Sequence, residues 1–207
     1  MGRYTGPAWR LSRREKIDLF PRSSLGSKSK FQERSDVPPG MHGLNRQKLS
    51  NYGLQLREKQ KVKRIYGVYE KQFRNYYEKA AKSKGVTGVT LLVLLERRLD
   101  NVIYRMGIVN SRRQSRQAVS HGHVQVNGRK TDVPSFQVGI NDVITIHTGD
   151  KMKETFKKAF EQHRDTDATN WLTVDIENFK ATVKKLPERT DVHMPIQEQL
   201  IVELYSK

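Results

Sequence analysis

The stretch from Ser111 to Gly128, SRRQSRQAVSHGHVQVNG, is the most informative in the chain because it predicts a short basic helix leading directly into a β-hairpin. Ser111 is a favourable N-cap, and Gly122 is a favourable residue at the C-terminal end of the helix. Asn127-Gly128 is a strong signal for a type I′ turn between alternating apolar residues. The stretch therefore predicts a unit with well-defined ends.

One face of the predicted helix is strongly basic. At about 100° per residue, an arc of roughly 140° is shared by Arg112, Arg113, Arg116, Gln117 and Ser120. The side chains on the opposite face of the helix are small enough for close packing. A guanidinium is a planar group of donors that stays charged, so three of them on a rigid face favour phosphate as a ligand. No acidic residue lies between Ile108 and Lys130, which favours RNA binding over a solvated helix.

The positive charge is concentrated towards the N-terminus. Of the net charge of +17, residues 1–90 contribute +14, residues 91–150 contribute +3 and residues 151–207 contribute zero. Such an excess predicts a polyanionic partner, and nucleic acid is favoured over a membrane surface. The balanced C-terminal part is suited to contact with protein.

Composition and length exclude several kinds of protein. The sequence has no cysteine, which excludes disulfides, thiol catalysis and thiolate metal sites and fits a reducing cytosol. The longest apolar run, Val89 to Leu95, is too short to span a bilayer. The N-terminus lacks a signal-peptide core, and Gly6 stands where a myristoylation signal needs Ser or Thr. We therefore expect neither a membrane nor a targeting segment.

Residues 1–45 are poor in apolar side chains and rich in turn signals such as Pro38-Pro39-Gly40. They are predicted to form an extended basic arm that becomes ordered only against an anion. The candidate phosphate-binding residues in this arm are Arg3, Arg10, Arg13 and Arg14.

Two helices are predicted next. Ser50 caps the first, which runs to about Tyr66 with Leu54, Val62 and Ile65 inward. The second follows Gly67 and carries a largely aromatic stripe of Tyr69, Phe73, Tyr76, Tyr77 and Ala80. This stripe is either helix core or a base-stacking surface, and core is favoured. The basic side chains that line the polar faces, and that are candidates for RNA contact, include Lys59, Lys61, Lys63, Arg64 and Arg74.

The centre of the chain predicts a compact α+β module over residues 91–150. Leu91 to Met106 is predicted as one amphipathic helix, followed by the basic helix and the hairpin. Short strands are predicted between Phe136 and Ile146, around a turn at Asn141-Asp142. Further on, the pattern predicts a helix at 152–163, a strand at 171–176 and a final helix at 196–205.

Motifs distributed from end to end resemble the bacterial small-subunit ribosomal protein S-four family. They are Tyr4-x-Gly6-Pro7, Leu11-Ser12-Arg13-Arg14-Glu15, YGLQLREKQK at 52–61, Tyr66-Gly67-Val68, Arg98-Leu99-Asp100-Asn101-Val102, RQAVSHG at 116–122, Val126-Asn127-Gly128, Pro187-Glu188-Arg189 and LIVELYSK at 200–207. The central module alone occurs in many RNA-binding proteins. The flanking motifs make the resemblance specific.

The resemblance implies an α+β architecture in three parts. These are a basic, extended arm at 1–45, a helical domain at 46–90 with 187–207 packed back on it, and an S-four-type RNA-binding domain at 91–186, made of helices and a small antiparallel sheet. Within that domain the further candidate rRNA contacts are His121, Asn127, Arg129 and Lys130.

The resemblance also implies the function. Such proteins are structural constituents of the small ribosomal subunit; they bind the 5′ domain junction of its rRNA early and nucleate assembly there. Arg46 and Lys48 match the positions that line the mRNA entry channel. The C-terminal region meets the neighbouring protein S-five and influences translational accuracy. Members can also repress their own mRNA. We expect a cytoplasmic ribosome, with an organellar one less favoured.

No cofactor, metal, enzyme activity or small-molecule substrate is predicted. Some members of the family carry an N-terminal cysteine cluster for zinc, whose ligands are absent here. His121-x-His123 supplies too few ligands for a metal site, so RNA contact or packing is favoured. Arg98-Leu99-Asp100 is similar to the motif around the catalytic Asp of pseudouridine synthases. Because Asp100 lies within a predicted helix, a helix-orienting salt bridge or hydrogen bond is favoured.

Overall fold

In the computed structural model of the chain, residues 4–20, 31, 37–41, 43, 48–147, 149–163 and 170–206 are described. The described residues belong to two compact units. The first contains the chain up to Gly88 and the segment from Met194 onward, and the second is Val89–His193. The architecture is α+β, as predicted, and the second unit contains an antiparallel sheet.

In chain order, the helices are α1 (Ala8–Glu15), α2 (Asn51–Ile65), α3 (Glu70–Lys82), α4 (Thr87–Glu96), α5 (Leu99–Arg105), α6 (Arg112–Ser120), α7 (Asp150–His163) and α8 (Glu198–Tyr205). The strands are β1 (Val124–Val126), β2 (Arg129–Lys130), β3 (Val143–Ile146), β4 (Leu172–Asp175) and β5 (Lys180–Val183).

Helix α2 begins where the sequence predicts. The Ser50 hydroxyl accepts a hydrogen bond from the Gly53 amide at 3.2 Å, which satisfies a backbone donor of the first turn. Val62 and Ile65 are buried, as expected, whereas the prediction for Leu54 is wrong because its side chain is 46% exposed.

The face of α2 that turns inward at its N-terminal half is polar, and it packs on α8. Gln55 Nε2 donates to Glu203 Oε2 at 2.8 Å, and the Gln197 amide donates to Glu58 Oε1 at 2.8 Å. Hydrogen bonds therefore join the C-terminal helix to α2, a contact between residues far apart in the sequence.

The aromatic stripe of α3 contributes to the core. Tyr69 is exposed, but the Tyr77 ring stacks on the Tyr205 ring of α8 with centroids 4.7 Å apart. The buried members of the stripe are Phe73, Tyr76 and Ala80. The core interpretation is thus confirmed for these three residues.

Glu70, at the start of α3, accepts hydrogen bonds from two lysines and a tyrosine. Its carboxylate accepts hydrogen bonds from Lys59 Nζ at 2.7 Å, Lys63 Nζ at 2.9 Å and the Tyr205 hydroxyl at 2.8 Å. Burial by itself would raise the pKa of Glu70, but these hydrogen bonds outweigh it and lower the pKa to about 2. The ionised carboxylate therefore links α2, α3 and α8.

The predicted extended arm contains helix α1, so that prediction is wrong for Ala8–Glu15. Glu15 is buried and accepts hydrogen bonds from Arg57, with Nη1 3.2 Å from Oε1, and from Arg64. Leu19 is completely buried, and its amide donates to the Ser12 hydroxyl at 3.2 Å. The low apolar content of the arm concealed this docking because the ion pairs of Glu15 with Arg57 and Arg64 join α1 to α2.

The sheet of the second unit has the strand order β2-β1-β3-β5-β4, with every neighbouring pair antiparallel. Val124 pairs with Ile146, and Ile144 pairs with Ala181. The predicted module at 91–150 therefore shares one sheet with β4 and β5. Its core includes Val102, Ile103, Val119, Val124, Ile144, Phe156 and Trp171.

The single helix predicted from Leu91 to Met106 is divided into α4 and α5. Arg98, between them, has extended backbone with φ −65° and ψ 135°, and it forms an isolated antiparallel bridge with Gln137. The apolar stripe remains buried on both sides of this break, which is why periodicity alone predicted an uninterrupted helix.

The segment after the hairpin is less regular than predicted. Phe136 is 38% exposed and Val138 is buried, but neither lies in a strand, and the Gln137 bridge is isolated. The predicted turn at Asn141-Asp142 is present, with Asn141 at φ 67°. Strand β3 begins immediately after it.

Substitution of Leu19 tests the packing of the arm. We expect Leu19→Ala to lower the free energy of unfolding by about 2–5 kcal/mol, because it opens a cavity at a completely buried site. Urea denaturation measures the change. The control is Leu49→Ala, at a side chain that is 49% exposed, for which we expect about 0.5 kcal/mol or less. Equal effects of the two substitutions would contradict a packed structure around Leu19.

Substitution of Glu70 tests the ion-pair centre through its pH dependence. Because the folded pKa of about 2 lies below the ordinary 4.5, the ionised carboxylate stabilises the fold above about pH 5. That contribution is lost as pH falls towards 2. We expect Glu70→Gln to cost about 1–2 kcal/mol at pH 7, allowing for solvent screening, and progressively less below pH 5.

Urea denaturation of wild type and Glu70→Gln across this pH range measures the difference. Glu78→Gln is the control, since the exposed Glu78 makes a single i,i+4 pair with Arg74. A difference between wild type and Glu70→Gln that stays constant from pH 7 to pH 3 would contradict the role of Glu70.

Candidate nucleic-acid interface

Helix α6 has the ends that the sequence predicts. The Ser111 hydroxyl accepts a hydrogen bond from the Gln114 amide at 3.2 Å. At the other end, Gly122 has φ 75°, and the His123 amide donates a hydrogen bond to the Ala118 carbonyl at 3.1 Å. Because a left-handed residue at this position reverses the chain, the helix leads directly into β1.

The hairpin is also as predicted. Asn127 and Gly128 have φ values of 51° and 77°, as a type I′ turn requires. The Asn127 side chain accepts from the Val143 amide at 2.9 Å and donates to Asp142 at 2.8 Å. The turn is thus anchored to the neighbouring strand.

The Lys130 side chain of β2 lies against Gly122, at the C-terminal end of α6. A Cβ atom at Gly122 would lie 2.3 Å from Cε of Lys130, so this flexible side chain would have to move to admit one. Lys130 of the hairpin is thus a cation that lies beside the end of the basic helix.

We call the exposed surface of α6 and the hairpin the basic strip. Its members are all exposed and come from α6 and the hairpin. They are Arg113, Gln117, Ser120, His121, Asn127, Arg129 and Lys130.

Arg112 and Arg116, predicted on the same exposed face, point towards α5 and are partly buried. Arg112 Nε donates to Asn101 Oδ1 at 2.9 Å, and its guanidinium lies 4.2 Å from the centroid of the Tyr104 ring. Arg116 Nη1 lies 3.7 Å from Asp100 Oδ2. The prediction of one solvent-facing arc is wrong for these two arginines, because they occupy its edge and α5 supplies acceptors there.

Asp100 is held mainly by Arg98. Arg98 donates to its carboxylate twice, from Nε at 3.0 Å and Nη2 at 2.6 Å. Both residues are nearly inaccessible, with Arg98 1% and Asp100 4% exposed. The favoured interpretation of Asp100 as a helix-orienting ion pair is confirmed. A catalytic Asp would need an open face towards a substrate.

A second buried network adjoins the first and was not foreseen. Arg105 donates to both oxygens of Glu96, at 2.9 and 2.8 Å, and Asn101 Nδ2 donates to Glu96 Oε2 at 2.7 Å. Asn101 therefore connects Glu96 to Arg112. The signal in the sequence was the presence of Glu96, Asn101 and Arg105 within a largely apolar stretch, but their pairing depends on the break between α4 and α5.

The predicted residues of α2 and α3 differ in accessibility. Lys59 and Lys61 are buried, and their ammonium groups pair with Glu70 at 2.7 Å and with Glu58 at 2.6 Å. The ammonium groups of Lys59 and Lys61 are thus both paired with carboxylates of the same chain. Lys63 and Arg64 are partly buried, and Arg74 is exposed.

In the arm, Arg10 and Arg14 are exposed, and Arg13 donates from Nε to the Val37 carbonyl at 2.8 Å. Of the two positions predicted at the mRNA entry, Lys48 is exposed. Arg3 and Arg46 lie outside the described residues.

The described residues contain no group of three or more His, Cys, Asp or Glu side chains that could hold a metal ion. The rings of His121 and His123 lie 6.2 Å apart. Among the described helices, none is long and apolar enough to cross a membrane.

Comparison with known families matches most of the chain. Residues 3–96 match the model of the ribosomal protein S4/S9 N-terminal domain, and residues 97–144 match that of the S4 domain. The proteins named small ribosomal subunit protein uS4 from Thermodesulfovibrio yellowstonii, Clostridium tetani and Geobacter metallireducens are 54%, 53% and 50% identical, over 100% of each chain.

The capped basic helix, the hairpin and the two matched domains define a structural RNA-binding protein rather than an enzyme. The full-length relatives are more specific, and with the two domain matches they show that this chain belongs to the ribosomal protein S-four family of bacterial type. The resemblance inferred from the motifs is therefore confirmed.

Removal of the Asp100 carboxylate tests its structural role. We expect Asp100→Ala to lower the free energy of unfolding by about 3–5 kcal/mol, because Arg98 would remain buried without a counter-charge. Urea denaturation measures this change. Asp132→Ala, at an exposed carboxylate in the same unit, is the control and should change stability by about 0.5 kcal/mol or less. An unchanged free energy of unfolding in Asp100→Ala would contradict a structural role for Asp100.

Proposed function

We propose that this chain binds the rRNA of the small ribosomal subunit through the basic strip of α6 and the hairpin. The observation that carries the proposal is that seven residues of a capped helix and a tight turn, none of them acidic, are all exposed, with Lys130 beside Gly122. Membership of the family supports a structural role in the small subunit.

The physical basis of binding is electrostatic and geometric. Arginine and lysine side chains that reach RNA phosphates release condensed counterions, so binding weakens as salt increases. Structured RNA is recognised largely through its shape and phosphate positions, which suits a surface with fixed ends. The hydrogen bond of Arg112 to Asn101 and the ion pair of Arg116 with Asp100 hold α6 against α5.

The finer role proposed here is nucleation of assembly at the 5′ domain junction of the rRNA. Lys48 and Arg46 would line the mRNA entry region, and the C-terminal region would contact protein S-five and influence translational accuracy. Repression of the chain's own mRNA would use the same basic strip. The location proposed is the cytoplasmic ribosome, consistent with the bacterial relatives.

The experiment that tests the proposal is the salt dependence of binding to a 5′-domain transcript of small-subunit rRNA, beside an unrelated structured RNA of equal length. Tight binding to the 5′ domain with a large advantage over the second RNA supports the proposal. Equal affinities that fall together with salt would contradict it, since they indicate a general polycation.

Arg113 supplies the residue-level test. We expect Arg113→Ala to lower affinity for the 5′-domain transcript and to reduce the slope of log K against log salt by about 0.7–0.9, the loss of one phosphate contact. Lys157→Ala, which removes an exposed charge on α7, is the control. An unchanged slope with an intact fold would remove Arg113 from the interface.

A further inference from the structure

Two arginines of α2 converge on a single buried carboxylate of α1. Nη1 of Arg57 and Nη1 of Arg64 both donate to Oε1 of Glu15. The Glu15 side chain is 1% exposed, whereas those of Arg57 and Arg64 are 29% and 22% exposed. The carboxylate thus holds both guanidinium groups from beneath while parts of them reach the surface.

The cluster carries more positive than negative charge. Arg14, exposed on α1, acts electrostatically on both Glu15 and Arg64. Burial lowers the pKa of Arg64, Glu15 opposes this effect, and the neighbouring charges of Arg57 and Arg14 lower the pKa further. Two guanidinium groups on one carboxylate leave a local surplus of positive charge, which the charge of Arg14 increases and a further anion would relieve.

The hydrogen-bonding capacity of Arg57 and Arg64 also exceeds what the described residues use. A guanidinium has five N–H donors. Within the part of the chain that the structure describes, the side-chain hydrogen bonds of Arg57 and Arg64 go to Glu15, one from each. The remaining donors form planar forks of the kind that bind phosphate oxygens.

We infer that Arg57 and Arg64, oriented by Glu15 and accompanied by Arg14, form a binding site for a backbone phosphate of rRNA. This site belongs to the first unit and is additional to the basic strip of the second. The inference rests on the proposed function, because RNA is the ligand. Arg57 is the new contact residue, and Glu15 is a positioning residue that does not touch the ligand.

The first test is Arg57→Gln, measured by the salt dependence of binding to the 5′-domain transcript. We expect an affinity loss of about tenfold and a slope reduced by about 0.7–0.9. Lys82→Gln, which removes an exposed charge from α3 of the same unit, is the matched control. Equal behaviour of Arg57→Gln and Lys82→Gln would overturn the site.

The second test separates orientation from charge. Glu15→Gln removes one negative charge, so the change in net charge alone predicts tighter binding of the 5′-domain transcript. The positioning role of Glu15 predicts weaker binding. Tighter binding by a folded variant would overturn that role. If circular dichroism shows that Glu15→Gln is unfolded, Arg57→Lys takes its place, because it retains the charge and removes the fork. Its affinity should fall below that of wild type, and wild-type affinity would overturn the site.

The two proposals fail in different ways. If wild type does not prefer the 5′-domain transcript, the proposed function fails. If wild type prefers it and Arg113→Ala weakens binding, but Arg57→Gln does not, the phosphate site alone fails.

Discussion

Asp100 and Glu96 place carboxylates where water hardly reaches them, and the second unit depends on how those charges are compensated. A buried ion is tolerated when opposite charge and hydrogen bonds replace its hydration. Arg98 and Arg105 do this with two hydrogen bonds each. Arg98 reaches Asp100 from an extended backbone, which accompanies the division between α4 and α5 and the bridge to Gln137.

The same networks determine the form of the candidate interface. Asn101 and Asp100 engage Arg112 and Arg116, so two arginines of α6 anchor the helix while Arg113 faces solvent. The arginines of α6 differ in orientation because α5 provides oxygen acceptors along one side of α6. A strongly basic helix can thereby be packed on the core and still present cations outward.

The first unit uses acidic residues in a comparable way. Glu70 accepts hydrogen bonds from two lysines and a tyrosine, and Glu15 accepts hydrogen bonds from two arginines. In a chain with such an excess of positive charge, each carboxylate reduces repulsion between neighbouring cations and joins different helices. The choice of partner also decides which cations are available: Lys59 is buried in its ion pair, whereas Arg57 and Arg64 retain exposed area.

By itself, the sequence determined the features that depend on a few neighbouring residues. The Ser50 and Ser111 caps, the glycine at 122 and the Asn127-Gly128 turn were predictable because local side-chain and backbone geometry specifies them. The motifs also identified the family. Tertiary structure alone decided the docking of α1, the break at Arg98 and the inward orientation of Arg112 and Arg116. Each depends on a partner from another element, and charge or periodicity along one segment does not contain that information.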